Sequence, residues 1–194
     1  MYGYYKQETK QKEDTDSIVL LQFGEKSMKQ SEKSKLWMEE ALLQLMEKKE
    51  FATITVTDIC EKAGISRLTF YRNFEVKEDI LRFHFDKVFQ EYIGKFDEGI
   101  TNIEEAITSC FDVWFELREE IKRIVDSNLA LLMYEPFSKY TQIVLSKNEK
   151  YKKCDLAQQN FILGGMFALM VSMVNHPTDR KPEEITSSIM ELLK

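Results

Sequence analysis

The sequence predicts an all-α protein, because helix-breaking residues are few and apolar residues recur at helical spacing. Its 194 residues include only 7 Gly and 3 Pro, which is too few for a β architecture with many turns. Hydrophobic residues make up 43% and charged residues 31%, as is typical of a folded globular protein. We therefore expect a succession of amphipathic helices.

Residues 1–30 are polar and mixed in charge, apart from a short apolar run at 17–23. We expect this segment to be a poorly ordered tail. Met28 is a second possible native start, because Gly24-Glu25 could be encoded by a purine-rich stretch resembling a bacterial ribosome-binding site. The N-terminal mass of protein made from the native transcript would decide between the two starts.

Two helices are predicted after this tail. Trp37, Ala41 and Leu45 lie one helical turn apart, with a second apolar stripe beside them, and indicate a helix over residues 31–49. A short second helix follows, because Thr55-Val-Thr-Asp58 has the Thr-x-x-acid pattern of a capped helix start.

The next segment has the pattern of a helix-turn-helix. Gly64 ends the second helix, since glycine takes a positive φ without steric cost. Ser66 is a good N-cap for a third helix of about two turns over residues 67–73. A fourth helix is predicted over residues 77–94, where apolar residues recur along one side.

The remainder of the chain keeps the helical spacing, with a charged loop or helix end predicted at 147–155. Residues 157–174 are nearly all apolar or small, so this helix must be covered on more than one side. Pro182 begins a last helix, followed by two acids that complement its positive end.

The segment Ile54-Thr-Val-Thr-Asp-Ile-Cys-Glu-Lys-Ala-Gly-Ile-Ser-Arg-Leu-Thr-Phe-Tyr-Arg-Asn-Phe74, followed by Lys77-Glu-Asp-Ile-Leu81, resembles the DNA-binding domain of TetR-family regulators. With the first helix, the resemblance covers roughly residues 32–93. It implies a helix-turn-helix DNA-binding domain at 31–94, joined by the fourth helix to a ligand-binding and dimerisation domain at 95–194. It also implies a homodimeric repressor that binds a palindromic operator in double-stranded DNA and is released by an unidentified small apolar ligand, with activation as the alternative output.

Arg67, Leu68, Tyr71 and Arg72 share one side of the third helix on a helical wheel, while Phe70 turns away from that side. Arginine can donate to guanine O6 and N7, and leucine can touch a thymine methyl group. The resemblance also implies phosphate contacts, which set register rather than read bases. The predicted DNA-binding residues are Thr55, Thr57, Ser66, Arg67, Leu68, Thr69, Tyr71, Arg72, Asn73 and Lys77.

Simpler explanations exist for some of these residues. Tyr71 could merely cover a small core, and Arg67 and Arg72 could be solvated surface charges. In the family pattern, Tyr71, Lys77 and either Thr55 or Thr57 match phosphate contacts. A phosphate would also offset the unfavourable position of a cation in the first turn of a helix.

The fourth helix departs from the family pattern at its start. Family members commonly have a capping residue before the matching lysine, whereas Val76 occupies that position here. We expect the cap to come from Glu75 or from backbone geometry.

Two sets of C-terminal residues are candidates for the other family functions. Aromatic and Met side chains could line an apolar effector cavity, or they could be ordinary core: Phe111, Trp114, Phe115, Met133, Tyr134 and Phe137. Small residues on the apolar helix and two isoleucines on the last helix are expected at a dimer interface, unless that helix is buried within one chain: Gly164, Gly165, Ala168, Ser172, Ile185 and Ile189.

Charge and residue types restrict the function classes. The net charge of -6 is uneven, at -2 over residues 1–25, +1 over 26–95 and -5 over 96–194, which leaves the middle segment free to meet phosphate. Three dispersed cysteines indicate reduced thiols and no metal site. No apolar run approaches the roughly 18 residues that cross a bilayer, so we expect a cytoplasmic protein with no membrane partner.

An enzyme is the alternative from another class, but the sequence does not favour it. His84 and His176 have no evident Ser, Cys or acid partner in the sequence, and we expect no cofactor. A third alternative keeps the fold but replaces operator binding by protein contacts, as in a co-regulator.

Overall fold

The computed structural model describes residues 30–97, 102–147, 149, 151–176 and 179–192, with residues 95–97 described by backbone alone. Within these ranges the chain contains helices and turns and no strand, so the predicted all-α class is confirmed. The tail expected at 1–30, and with it Met28, lies outside the described residues except for Gln30, which is helical.

The described part of the N-terminal half contains four α-helices: α1 (Gln30–Met46), α2 (Val56–Ala63), α3 (Arg67–Asn73) and α4 (Glu78–Asp97). A turn of 3-10 helix, Phe51–Thr53, connects α1 to α2. Helices α2 and α3 pack against each other and against α1, which also contacts α4. The short third helix is therefore held by both of its predecessors.

The C-terminal half continues with α5 (Ile103–Glu116), α6 (Arg118–Asp126), α7 (Leu131–Leu145), α8 (Leu156–Asn175) and α9 (Pro182–Leu192). Helix α4 packs along α7, α5 packs against α9, and α8 lies against α6 and α7. Buried apolar side chains form one continuous cluster from α1 to α9. Because α4 contacts both α1 and α7, it joins the two halves.

Two breaks separate α5, α6 and α7 where apolar spacing alone gave no sign of them. Helix α5 ends at Leu117, which also caps α6. Asn128 ends the next segment in the left-handed region, with a φ of 59°, a conformation that Asn tolerates better than most residues. These breaks divide the apolar pattern among three separate helices.

By length and composition, α8 could cross a membrane, with a mean hydropathy of 1.3 in its most apolar window. The expectation that no apolar segment approaches that length is therefore wrong. Core and interface helices of water-soluble proteins also meet this criterion. Only 28% of the window is buried within the chain, so most of the helix surface is available to another partner.

Candidate nucleic-acid interface

The turn between α2 and α3 has the geometry predicted from Gly64. Its φ of 66° places it in the left-handed region, where a residue with a Cβ is strained. The amide of Gly64 donates to the carbonyl oxygens of Cys60 and Glu61, and the amide of Ile65 donates to that of Cys60 at 3.0 Å. The chain therefore leaves α2 in a closed turn that fixes the direction of α3.

Helix α3 begins at a side-chain cap and is anchored by one aromatic ring. The hydroxyl of Ser66 accepts a hydrogen bond from the amide of Thr69 at 3.1 Å, as predicted for an N-cap. Phe70 is completely buried, and its ring centroid lies 6.2 Å from that of Phe74. Burial of Phe70 forces the opposite side of this short helix outward.

The outward side of α3 carries the four residues that the helical wheel placed together. Leu68 is 62% exposed and Tyr71 is 52% exposed, although both have large apolar surfaces. Arg67 and Arg72 are exposed beside them, and neither has a salt bridge to a carboxylate among the described residues. The guanidinium groups of this face are therefore available as hydrogen-bond donors to another molecule, and apolar surface lies beside them.

Three other predicted contacts on α3 are occupied within the protein. The hydroxyls of Ser66 and Thr69 lie 2.9 Å apart and bond to each other. The Asn73 amide donates to the carbonyl oxygen of Thr69 at 2.8 Å and accepts a hydrogen bond from the Ser31 hydroxyl of α1. The hydrogen bonds of these side chains stabilise the two ends of α3, so these side chains are not part of its exposed face.

The structure separates the roles of the two threonines at the start of α2. Thr55 and Asp58 form a reciprocal capping box, in which the Asp58 amide donates to the Thr55 hydroxyl and the Thr55 amide donates to the Asp58 carboxylate. A hydrogen bond from the Thr55 hydroxyl at 2.6 Å, the bond from the Thr55 amide and a salt bridge from Lys49 hold the pKa of Asp58 well below its usual range. Thr57 is exposed like Thr55, but it takes no part in the capping box.

Lys77 lies differently from the expected phosphate contact. Its ammonium donates to the carbonyl oxygens of Phe51 and Ile54, each at 2.7 Å, and lies 4.3 Å from the centre of the Phe51 ring. Carbonyl oxygens carry the negative end of the peptide dipole, so they satisfy the cation that the start of α4 disfavours. The residue therefore fixes α4 to the turn before α2, and the expectation of a phosphate contact is corrected.

The cap of α4 also differs from the expectation that Glu75 or the backbone supplies it. The Asp79 carboxylate accepts hydrogen bonds from the amides of Glu75 and Val76, both at 3.0 Å. These bonds and a salt bridge to Arg82 lower the pKa of Asp79, against the effect of partial burial. Asp79, which lies inside the first turn of α4, thus supplies the hydrogen bonds of the missing cap.

The predicted effector residues are mostly ordinary core. Phe111, Met133 and Phe137 are fully buried, and the Tyr134 ring lies edge-on to Phe167 at 5.1 Å. Of the six, Trp114 is the one found at the wall of a cavity, which has a volume of only about 10 Å³. A larger depression of about 470 Å³ opens at the surface between the first turns of α5 and α9, and polar side chains line it.

That small cavity lies between α4, α5 and α6 and includes one residue of α8. Its wall consists of Phe85, Val88, Phe89, Tyr92, Cys110, Val113, Trp114, Leu117, Ile121 and Met170. The indole nitrogen of Trp114 is buried and has no hydrogen-bond partner in the described part of the chain. Burial raises the pKa of the Cys110 thiol to about 12, so this thiol is neutral and adds no charge to the wall.

The predicted dimer residues divide into two groups. Gly165, Ala168 and Ser172 are exposed on α8, and Phe161 on the same side is 81% exposed. Ile185 is only 3% exposed, because α9 packs against α5, where Thr186 accepts a hydrogen bond from Thr108. Ile185 therefore belongs to the core of its own subunit, which corrects its assignment to an interface.

Sequence reasoning missed one polar site. His84 was expected to have no acidic partner, but Glu39 lies 2.8 Å from one ring nitrogen and Glu120 lies 2.6 Å from the other. Both partners are distant in sequence, so spacing gave no signal. Among the described residues, no group of three His, Cys, Asp or Glu side chains could hold a metal ion.

Comparison with known proteins finds regulators that are similar to the N-terminal half of the chain. A family model described as bacterial regulatory proteins of the tetR family matches residues 40–82, from the middle of α1 to the start of α4. The HTH-type transcriptional regulator EthR of Mycolicibacterium smegmatis is 35% identical over 75 residues. The match covers 37% of this chain and 35% of that relative, so the chain spans about a third of its length.

Solved structures match over most of the chain. A protein from Listeria innocua superposes with a TM-score of 0.70 at 19% identity, over 84% of this chain and 90% of that one. A TetR transcriptional regulator from Streptococcus agalactiae gives a TM-score of 0.63 at 17% identity, over 92% and 99% of the two chains. At these identities the likeness concerns the fold, which extends through the C-terminal helices.

Proposed function

We propose that the chain belongs to the TetR family of transcriptional regulators, whose model matches its N-terminal half, and that it is a cytoplasmic repressor that binds a palindromic operator as a homodimer and is released by a small apolar ligand. The observation that carries this proposal is the exposed face of α3. Leu68 and Tyr71 are solvent-exposed there beside two arginines that have no carboxylate partner in the described structure.

This face fits the major groove of DNA. Arg67, in the first turn of α3, would donate to the O6 and N7 atoms of a guanine, and Leu68 would contact a thymine methyl group. Tyr71 and Thr57 would donate to phosphates and set the register. Lys77 and Asn73 would act indirectly, because their bonds to the turn before α2 and to α1 hold the frame in which α3 sits.

A dimer follows from the size of α3 and from the surface of α8. A seven-residue helix reads few bases, whereas two copies related by a twofold axis read a palindrome. Phe161, Gly165, Ala168 and Ser172 are three or four residues apart and exposed, so they form one apolar and small-residue stripe. A second copy of α8 would cover this stripe, as in the helical interfaces of other dimers.

The effector site would be the small cavity around Trp114. Its lining is apolar apart from Tyr92 and the unpartnered indole nitrogen, which favours an apolar ligand with one hydrogen-bond acceptor. At about 10 Å³ the cavity holds no more than a water molecule. A ligand would therefore have to separate α4 from α5 and α6, and that movement would change the spacing of the two recognition helices.

Fluorescence anisotropy with duplexes from the promoter region of its own gene tests the proposal. We expect nanomolar binding that weakens steeply with salt. Arg67→Ala should weaken binding by about 1–3 kcal/mol, or roughly 5- to 150-fold. Tyr71→Phe should weaken binding without changing its salt dependence, because the lost phosphate contact is uncharged. The matched control is Arg118→Ala, since Arg118 is an exposed arginine on α6, outside the α3 face.

Equal binding by the Arg67 and Arg118 variants would contradict the assignment of the α3 face. A folded wild-type protein with no affinity for any duplex would contradict operator binding itself. That second result would favour the alternative in which the same fold acts as a co-regulator through protein contacts.

A further inference from the structure

A cluster of four charged side chains, of which Glu39 and His84 are buried, joins three helices of the protein. His84 of α4 contacts Glu39 of α1 through Nδ1 and Glu120 of α6 through Nε2. Lys87, one turn further along α4, donates to both oxygens of Glu39 at 3.0 and 2.8 Å. We name the Glu39, His84 and Glu120 contacts the histidine bridge.

The charges of this cluster balance when His84 is protonated. Two carboxylates then face one imidazolium and one ammonium, and the cluster is neutral. Burial disfavours a charge on the ring, but the hydrogen bonds and charges of Glu120 and Glu39 outweigh it and raise the pKa of His84 to about 9. Burial likewise acts against ionisation of Glu39, whose pKa is nevertheless lowered by His84 and Lys87.

The bridge lies on a continuous path between the two halves of the chain. Glu120 belongs to the C-terminal half, where its neighbours Leu117 and Ile121 line the small cavity. On α4, Phe85 lines the same cavity, and its ring centroid lies 5.1 Å from that of His84. A displacement of α4 or α6 at the cavity would therefore change the distances within the histidine bridge.

The other end of the bridge leads to the recognition helix. Glu39 lies on α1 about two turns from Ser31, or roughly 12 Å at 1.5 Å per residue. Ser31 donates a hydrogen bond to Asn73 at the end of α3. Helix α1 thus connects this cluster to α3 through Glu39 in its middle and Ser31 at its start.

We propose that the histidine bridge couples the C-terminal core to the position of α3, so that its rupture at Glu120 weakens DNA binding although Glu120 lies outside the DNA-binding half. The intact bridge holds α1, α4 and α6 in the arrangement that presents α3 to DNA. A ligand that separates α4 from α6 breaks the bridge at its α6 end and releases this arrangement. The inference rests on the proposed function, since it assumes operator binding.

The test compares Glu120→Gln with Glu119→Gln in the full-length chain. Both substitutions remove one negative charge from the first turn of α6, but Glu119 is exposed and lies outside the bridge. We expect Glu120→Gln to weaken operator binding about fivefold or more, which is the lower range of measured couplings between sites. Glu119→Gln should bind within about twofold of wild type, since it removes no part of the coupling.

Urea unfolding of each variant shows whether the protein is folded under the binding conditions. If Glu120→Gln does not fold, Glu120→Asp takes its place, because it keeps the charge but withdraws the carboxylate by one methylene. Its control is Glu119→Asp. We expect weaker binding from Glu120→Asp than from this control.

A cycle that combines Glu39→Gln with Glu120→Gln tests whether both carboxylates act through His84. The double variant should lose less affinity than the product of the two single losses, because either substitution already breaks the path. A multiplicative loss would overturn the inference. A folded Glu120 variant that binds DNA like its Glu119 control would also overturn the inference. The proposed function would still stand in either case, provided that the wild-type protein binds DNA in the same assay.

Discussion

Replacing Gly165 by Ala distinguishes a helix that faces solvent from a helix that two subunits share. Gly165 lies in the interior of α8 and is exposed, and an added Cβ would meet no atom of its own chain within 4 Å. Within one subunit the methyl group is therefore harmless. Alanine is the better helix former by about 1 kcal/mol, so the isolated subunit should become more stable.

At a subunit interface the same methyl group has the opposite effect. Small residues on α8 would allow two backbones to approach closely, and an added methyl would force them apart at a typical cost of about 1–3 kcal/mol. A twofold axis repeats the contact, which gives about 2–6 kcal/mol per dimer. The lower figure corresponds to roughly 30-fold weaker association. The gain in helix propensity cancels, because it is present in both monomer and dimer.

Gly94 provides the matched control. It lies within α4, it is exposed, and an added Cβ there also meets no atom within 4 Å. Sedimentation equilibrium of the two alanine variants and wild type measures association, and urea unfolding measures stability. We expect Gly94→Ala to be stabilised with unchanged association, and Gly165→Ala to dissociate. If Gly165→Ala associates like wild type and gains the same stability as Gly94→Ala, the proposed interface is wrong.

Three further predictions concern the contacts that hold the DNA-binding half. Lys77→Met should lower the free energy of unfolding by about 1–3 kcal/mol, because two carbonyl oxygens lose their donor; Lys48→Met, at an exposed lysine of the same half, should leave it unchanged in the same urea titration. Asp79→Asn should cost about 1 kcal/mol by weakening the cap of α4, and circular dichroism during thermal unfolding should show no such loss in its neighbour Glu78→Gln. The folded-state pKa of His84, at about 9, lies above its ordinary value of 6.5, so its stabilisation is fully present below pH 6.5 and is lost as pH rises through 9. Unfolding in urea between pH 6 and 10 should reveal this loss, of up to about 3 kcal/mol, and His84→Gln should remove it; an equal pH profile in the variant would mean that His84 does not carry the charge.

The parts of the site that follow local rules could be predicted from the sequence. Gly64, Ser66 and the alternation of Phe70 with Tyr71 act through neighbours within four residues, and the structure has the turn, the cap and the exposed face that these rules imply. Local reasoning failed for Lys77. Its ammonium bonds to carbonyl oxygens 23 and 26 residues earlier in the chain, and no spacing rule links a lysine to a backbone so far away.

The same limit explains the missed His84 bridge and the misplaced Ile185. Glu39 precedes His84 by 45 residues, and Glu120 follows on a helix whose start depends on an unpredicted break at Leu117. Ile185 has the apolar character of an interface residue and of a core residue alike, and only the packing of α9 on α5 decides between them. Tertiary contacts therefore settled the assignments that residue type left open.

The tight packing around Trp114 bears on the kind of ligand that could release DNA. A ligand shifts an equilibrium only by its difference in affinity for the two states. A molecule that fitted the 10 Å³ cavity unchanged would have no preference for the separated state and would not release DNA. A larger apolar molecule can bind only after α4 has moved from α5 and α6, and it then stabilises the separated state by burying its own surface. Because His84 and Phe85 are adjacent on α4, the movement that admits such a molecule is also the movement that strains the bridge to Glu120. The size of an effector, more than its affinity, should therefore decide whether it weakens operator binding.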